Sequence, residues 1–482
     1  MDYGDYFRKF NKNDKELVKN YISNAEAESF LLDNAPRLYC PNKVIEETFA
    51  FRTWTMRKHI IKTEVGFLIT EFLPEVCWAG KYNTINAPLI HHLNEFRWLK
   101  NATDFLDYIK FFLTDESAFS YHVPALYEMA EFCKVTGNDD FIKENIKEFE
   151  KYFKTWVDTH YTKNGLFWSI DDREGTEYSI SGTTPDMKFG KGLRPFINAC
   201  MYGDALALSK ISSESNYYAE FACKIKRQMD DKLWDGEFYK AIHPLDGDVD
   251  KPLDCRDIVK ECDARELTGY APWMYDMPDS DKSFVFRYLK DENVFKAKTG
   301  FTTADKSNPR YMYPVHKACS WNGKVWPFAT SIALNSVINL LNGYKQTEIT
   351  DKDLFEFTET YAKMHYMTEN GERINFIDEV MLPDEYVWDC REFLKNRDVP
   401  IENGGKERGR DYNHSTFIDI VLRGVCGVCF ADNRLMVNPR IAGIWKWFKI
   451  ENLSFRKKTY NIYYDEDGTV YNKGKGVVIE VN

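Results

Sequence analysis

From about residue 85 to residue 425, apolar side chains return at steps of three and four. They do so in runs such as 121–136, 141–159, 195–213, 215–234, 331–342 and 354–367. This is the spacing of helices that bury one face. Several runs end in turn formers, among them Gly137-Asn138-Asp139 and Asn342-Gly343. Helix, short loop, helix and longer polar loop follow one another without a strict sequence repeat. The pattern predicts helical hairpins packed side by side, with the long loops gathered at one end.

The two ends of the chain read differently. Residues 48–70 carry alternating segments, of which Gly66-Phe67-Leu68-Ile69-Thr70 is the most strand-like. From Arg434 onward, β-branched and aromatic residues stand between turns, and Asp465-Glu466-Asp467-Gly468 reads as a hairpin turn. No stretch rich in Pro, Gly or Ser separates this tail from the helical body. The expectation is a mainly α chain in one compact unit, with a barrel over 1–430 and a β-rich segment over 431–482 packed on it.

Composition narrows the function. Lys+Arg number 64 and Asp+Glu 75, a net charge of −11, which argues against binding to a nucleic-acid backbone. No run approaches the 18 or so apolar residues of a membrane span, and Met1–Asn20 lacks the apolar core of a secretory signal. A cytoplasmic protein with no membrane partner is expected. Eleven scattered cysteines then read as reduced thiols. Cys426 and Cys429 have C-x-x-C spacing but no second ligand pair at zinc-site spacing, so no metal or other cofactor is expected. Aromatic residues make up 16% of the chain. They fill cores, and Trp or Tyr beside carboxylates and amides also suits the apolar faces and hydroxyl rims of sugars.

Three segments combine aromatics, amides and charges beyond what a turn needs. In residues 51–83, Arg52, Trp54, Arg57, Trp78, Lys81 and Asn83 could line a polar pocket. Residues 168–194 hold Asp171, Asp172, Glu174 and Glu177, followed by the Gly-Leu-Arg-Pro that contains Arg194. Crowded carboxylates are usually solvated, but neighbours or burial can keep one protonated, as a general acid requires. Residues 373–389 hold Asp378, Glu379, Asp384 and Glu385. Two acidic loops at the same end of a helical barrel would flank a cleft, the arrangement that hydrolyses glycosides. Ser320–Ser331 (SWNGKVWPFATS) and Arg410–Phe417 (RDYNHSTF) add aromatic helix starts to that end. His414 reads as a capping or core histidine, or as a holder of a substrate hydroxyl.

These pieces resemble the glycosidase clan of (α/α)6 barrels that includes trehalases, processing α-glucosidase and mannosylglycerate hydrolase, and above all its mannosylglycerate-hydrolase-like branch. The resemblance covers roughly residues 45–440. It rests on FRTWTMRKHI with FLITEFLPEVCWAGKYNT, on GLRPFINACMYGDALALSKI, on SWNGKVWPFATS and on RDYNHSTF. The SWNGKVWP box is similar to the clan's W-x-G-P-x-W segment, with Lys324 where Pro is common. The resemblance implies an inverting hydrolase with its acid in the second segment and its base in the third. Gly175-Thr176-Glu177-Tyr178-Ser179 is similar to the clan's acid motif with Glu in place of Asp, which puts the acid on Glu177, with Asp172 and Glu174 as alternatives. Glu379 falls at the place of the base, although the Tyr and Thr-Gly usual there are missing. The resemblance also implies that Arg52, Trp54, Trp321, Asn322 and Trp326 shape the subsite for the terminal sugar.

The substrate class that follows is a small gluco- or manno-configured glycoside, cleaved from its end as an α-glycoside. Sugar, linkage and oligomeric state stay open. Three alternatives compete with this reading. One is a sugar epimerase or lyase on the same barrel, disfavoured because neither acidic loop carries a histidine. Another is a sugar-binding barrel without catalysis, in keeping with Glu for Asp at 177. The third is a protein-binding helical solenoid, which would not concentrate Trp and carboxylates in loops.

Overall fold

The computed structural model describes residues 2–182, 190–254, 256–315 and 317–482. The helical runs of the sequence are present with small shifts of boundary. Residues 195–213 become the helix Pro195–Ile211, which starts on a proline that has no amide hydrogen to leave unpaired. Residues 141–159 become two helices, Asp139–Glu144 and Ile146–His160.

Six segments form an inner ring: Leu89–Phe96, Leu126–Thr136, Pro195–Ile211, Leu267–Tyr275, Pro327–Gly343 and Ile420–Val425. Each packs on the next in chain order. The last closes on the first, where the Arg97 guanidinium pairs with buried Asp419 and Glu95 accepts the Phe417 and Asp419 amides. Outer helices such as Lys43–Lys58, Ile146–His160, Ser215–Lys232 and Asp351–Met364 cover them, and Asp351–Met364 packs against Lys43–Lys58 to close the outer layer. The result is the (α/α) barrel, one apolar core between two rings of helices. None of the helices among the described residues is long and apolar enough to cross a membrane.

Two expectations need correction. Residues 48–58 are not strand but the second half of the helix Lys43–Lys58, capped by Asn42, whose side chain accepts the Val44 and Ile45 amides. A hairpin starts only at Ile60, where Ile60–Thr63 pairs with Gly66–Ile69. The β-rich tail, for its part, is a four-stranded antiparallel sheet that recruits Arg37–Tyr39 from far upstream beside Trp447–Phe455, Lys458–Asp465 and Gly476–Val481. Its tight turn is Arg456-Lys457, both with positive φ. The expected turn at Asp465-Glu466-Asp467-Gly468 opens the longer connection between the antiparallel strands Lys458–Asp465 and Gly476–Val481, where the Asp465 carboxylate accepts the Gly468, Val470 and Tyr471 amides.

Candidate active site

Loops entering the inner helices meet at one end of the barrel, where backbone hydrogen bonds fasten them to one another. The Trp321 amide donates to the Glu177 carbonyl at 3.1 Å, which ties the tryptophan box to the second acidic segment. Val325 and Met381 exchange hydrogen bonds of 3.0 and 2.9 Å, tying the same box to the third. The Asp411 amide donates to Ile377 and the Asn413 amide to Glu71, at 3.0 and 3.1 Å. Segments more than three hundred residues apart in the chain are thus held at fixed heights around one hollow. Locally, the short helix Asp171–Glu174 ends at Gly175 in the left-handed region (φ 69°), a conformation glycine adopts without a side-chain clash. The chain then turns inward at Glu177.

The hollow has a volume of about 240 Å³. Glu71, Glu177 and Glu379 line it together with Trp78, Tyr121, Trp321, Trp326, Phe328, Arg408, Tyr412 and His414. Trp321 and Trp326 stack at 4.5 Å, and the Tyr412 and His414 rings lie 3.8 Å apart. Burial pushes Glu177 up to about 8, with the charges of Glu379, Asp171 and Glu71 acting in the same direction. Glu379 is buried and accepts from Arg408 Nε at 3.1 Å. Its amide is held by Asp378 Oδ1 at 2.7 Å. Asp378 comes this close because position 409 is glycine, where a Cβ would stand 1.8 Å from that oxygen. Glu71 is pushed up to about 8, first by burial, and accepts from the Tyr412 hydroxyl. Among the described residues no group of His, Cys, Asp and Glu is arranged to hold a metal ion.

Of the residues singled out in the sequence, Glu177, Glu379, Trp78, Trp321, Trp326 and His414 line this hollow. The others stand elsewhere. On a helix, positions 52 and 54 project about 200° apart, so they cannot share a wall as they would on a strand. Arg52 reaches Ser415, donating to its hydroxyl and carbonyl at 2.7 Å each, and braces the backbone beside His414. Trp54 faces away, with Nε1 on Asn11 Oδ1 at 2.8 Å. Lys81 is exposed, with its ammonium over the Tyr82 ring. Asn83 donates to the Phe72 and Pro74 carbonyls and shapes the loop that carries Trp78. Asn322 donates to the Tyr313 carbonyl at 2.7 Å. Arg194 and the alternative acid Glu174 form a buried ion pair of 2.6 Å, and Asp172, the other alternative, is only partly buried and outside the lining.

Glu71 and Arg408 also line the hollow but carry no local mark of a site in the sequence. Glu71 follows directly on the strand Gly66–Ile69 and Thr70, a place where a lone carboxylate marks a sheet edge as often as a site. Arg408 stands in Gly-Gly-Lys-Glu-Arg-Gly-Arg, which reads as a solvated loop. Tyr412 stands in RDYNHSTF, where one more aromatic residue at a helix start carries no local mark of a role.

A helical barrel whose inner-helix entrances surround an aromatic pocket rich in carboxyl groups is the architecture of a class of glycosidases. The chain belongs to one family of that class: the model for the mannosylglycerate hydrolase MGH1-like glycoside hydrolase domain matches residues 81–415. Among solved structures, a protein titled "Sialidase" superposes with a TM-score of 0.86 at 29% identity, over 100% of this chain and 43% of that one. This chain therefore spans less than half the length of that relative. The GH63 mannosylglycerate hydrolase of Thermus thermophilus, in complex with Tris and D-glycerate, superposes with a TM-score of 0.51 at 8% identity, over 78% of this chain and 98% of that one. A GH78 family rhamnosidase of Bacillus sp. GL1 superposes with a TM-score of 0.51 at 12% identity, over 90% of this chain and 40% of that one. The last two show a shared fold. No curated protein matches the chain.

Proposed function

We propose that this glycoside hydrolase is an inverting, exo-acting glycosidase of small gluco- or manno-configured α-glycosides, with Glu177 as general acid and Glu379 as general base. One observation carries the assignment: two carboxyl groups two hundred residues apart line the same small hollow in opposite electrostatic settings. Glu177, raised to about 8, carries a proton at neutral pH. Glu379 is ion-paired with Arg408. A carboxyl group held protonated by burial, facing one engaged by a guanidinium, supplies the acid and the base of such a pair.

The reaction then runs as a single displacement. Water attacks the anomeric carbon and gives a proton to Glu379, while the bond to the leaving oxygen breaks and Glu177 donates its proton to that oxygen. The water needs room, so the carboxyl groups should work about 6.5–9.5 Å apart. Exo-action fits the volume of about 240 Å³, below the roughly 300–1,000 Å³ of sites for drug-sized ligands. Trp321 and Trp326 offer apolar faces to a ring, and no metal takes part in this scheme.

NMR of the first-formed sugar tests the proposal. The anomer should be opposite in configuration to the substrate, and Glu177→Gln and Glu379→Gln should each abolish turnover of a glycoside with a poor leaving group. A retained anomer removes the inverting assignment. Activity surviving in Glu177→Gln moves the acid elsewhere, with Glu71, the other raised carboxyl group lining the hollow, the first position to test.

A further inference from the structure

A second cavity, of about 450 Å³, lies at the other end of the barrel. Phe328 lines the hollow and Asn342 lines this cavity, about 21 Å further along one inner helix at 1.5 Å per residue. Asn94 with Arg97, Met274 and Arg423 bring the C-terminal ends of three more inner segments to it. The volume falls within the roughly 300–1,000 Å³ of sites for drug-sized ligands. None of these end residues takes part in the reaction proposed above.

Part of the wall is fastened from within. Arg423 donates to Asp419 Oδ2, Asn335 Oδ1 and Asn339 Oδ1 at 3.2, 3.3 and 3.2 Å. Asn339 Nδ2 in turn donates to the Trp273 and Met274 carbonyls at 3.1 and 2.7 Å. Arg423 stands in the π-helical segment Ile420–Val425, a widened turn that recurs at functional sites.

Other groups are left open against this wall. Asn94 is 8% exposed, and among the described residues its amide has no hydrogen-bond partner. Arg97 gives Nε and Nη2 to Asp419 and keeps Nη1. The Tyr127 hydroxyl is open in the same way among the described residues. Behind them Glu128 Oε1 accepts from the Tyr275 hydroxyl at 2.9 Å, while Oε2 is buried without a partner. Buried polar groups are normally paired, and each unmet one costs stability.

Charge does not select the ligand. Arg97, Arg423 and Arg440 stand in the lining beside Glu128, Glu131 and Asp276, so neither sign prevails. The open groups instead set donors and acceptors side by side, since an amide and a phenol hydroxyl each offer both. Sugar hydroxyls also donate and accept at once and complement them. Tyr127 and Phe430 add apolar ring faces for the C–H side of a sugar.

We infer that this cavity is a second, non-catalytic site for an uncharged disaccharide unit, held by the Asn94 amide, Arg97 Nη1 and the Tyr127 hydroxyl. It stands apart from the hollow and does not depend on the roles of Glu177 and Glu379.

Met274 gives a probe of this site alone, because among the described residues no methionine lines the hollow. The full chain, labelled with [methyl-13C]methionine and assigned through Met274→Leu, is titrated with maltose, cellobiose and trehalose. Wild type and Glu177→Gln are both used, so that a probe cleaved by the first stays intact in the second. At least one sugar should shift the Met274 methyl signal saturably in the millimolar range. In Asn94→Leu, with the other methyl signals in place, the dissociation constant should rise about tenfold or more, for the hydrogen bonds of one amide. Should that variant fail to fold, Tyr127→Phe removes only a hydroxyl and should weaken binding about fivefold. No saturable shift with any of the three sugars overturns the inference. Unchanged affinity in Asn94→Leu, or in Tyr127→Phe where that variant stands in, overturns it too. Saturation by inorganic phosphate or citrate and by no sugar would make this an anion site and overturn the assigned chemistry.

Discussion

Glu174 and Glu177 lie three residues apart in one loop, and their surroundings differ in kind. Glu174 receives Arg194 Nε at 2.6 Å on one oxygen and the Ile197 amide on the other, while Arg194 also reaches Ser181. Every oxygen has a partner, and the arginine works against the effect of burial. Glu177 lines the hollow, where the neighbouring charges that act on it are carboxylates, and it rises to about 8. The sequence offers both as acids of one cluster. The comparison shows that a guanidinium turns a buried carboxylate into a strut, whereas denying it one leaves a proton donor.

The largest effect expected from breaking this contrast is on turnover. Glu177→Gln should lower kcat by roughly 10²–10⁴-fold and leave the protein folded, as judged by kinetics alongside circular dichroism. Its pH dependence of stability should also change. The folded-state value of about 8 lies above the ordinary 4.5, so the folded form binds this proton more tightly than the unfolded one. That contribution is full below about 4.5 and is lost as pH rises through about 8. The wild type should therefore lose stability relative to Glu177→Gln across that window, and urea melts at pH 5 and pH 8.5 measure the difference.

On the other side of the comparison, Arg194→Met should cost about 3–5 kcal/mol in urea unfolding, because it strands Glu174 as a buried charge. The double change Arg194→Met with Glu174→Leu should recover much of that. A mild loss in the single variant, with turnover abolished, would mean that Glu174 has a chemical role. Next in size is Arg408→Gln, which removes the cation from Glu379. We expect a fall in kcat of about tenfold or more, since a hydrogen bond to a charged group contributes roughly 1.5–3 kcal/mol. KM should change less, and added guanidinium ion should restore part of the rate.

What could be read in the sequence follows the range over which each feature is determined. The hairpin helices were legible because each keeps a polar face, so periodicity survives. The helix Lys43–Lys58 was not. It is covered by Tyr3–Asn13 and Asn24–Asn34 on one side and by the barrel on the other. Burial of Thr48, Arg52, Thr53, Thr55, Arg57 and Lys58 erases the contrast on which a period depends. In the site, Glu177, Glu379 and the tryptophan box stand in dense local clusters and could be picked out. Glu71 and Arg408 are single charges whose meaning comes from distant partners, the Tyr412 hydroxyl and Glu379. No local pattern carries that information.

The smallest effect tests the boundary of the site. Lys81 and Asn83 stand two residues apart in the same polar segment, yet one is exposed over Tyr82 while the other holds the Phe72 and Pro74 carbonyls that shape the Trp78 loop. Lys81→Ala should leave kcat/KM within about twofold and stability within roughly 0.5 kcal/mol, as for a surface change away from special features. Asn83→Ala should raise KM severalfold, because Trp78 would no longer be fixed at the wall. A large loss in Lys81→Ala on a small aryl glycoside would place a substrate contact beyond the described hollow. The single-ring, end-cutting subsite would then have to give way to a longer groove running across the rim toward residues 80–83.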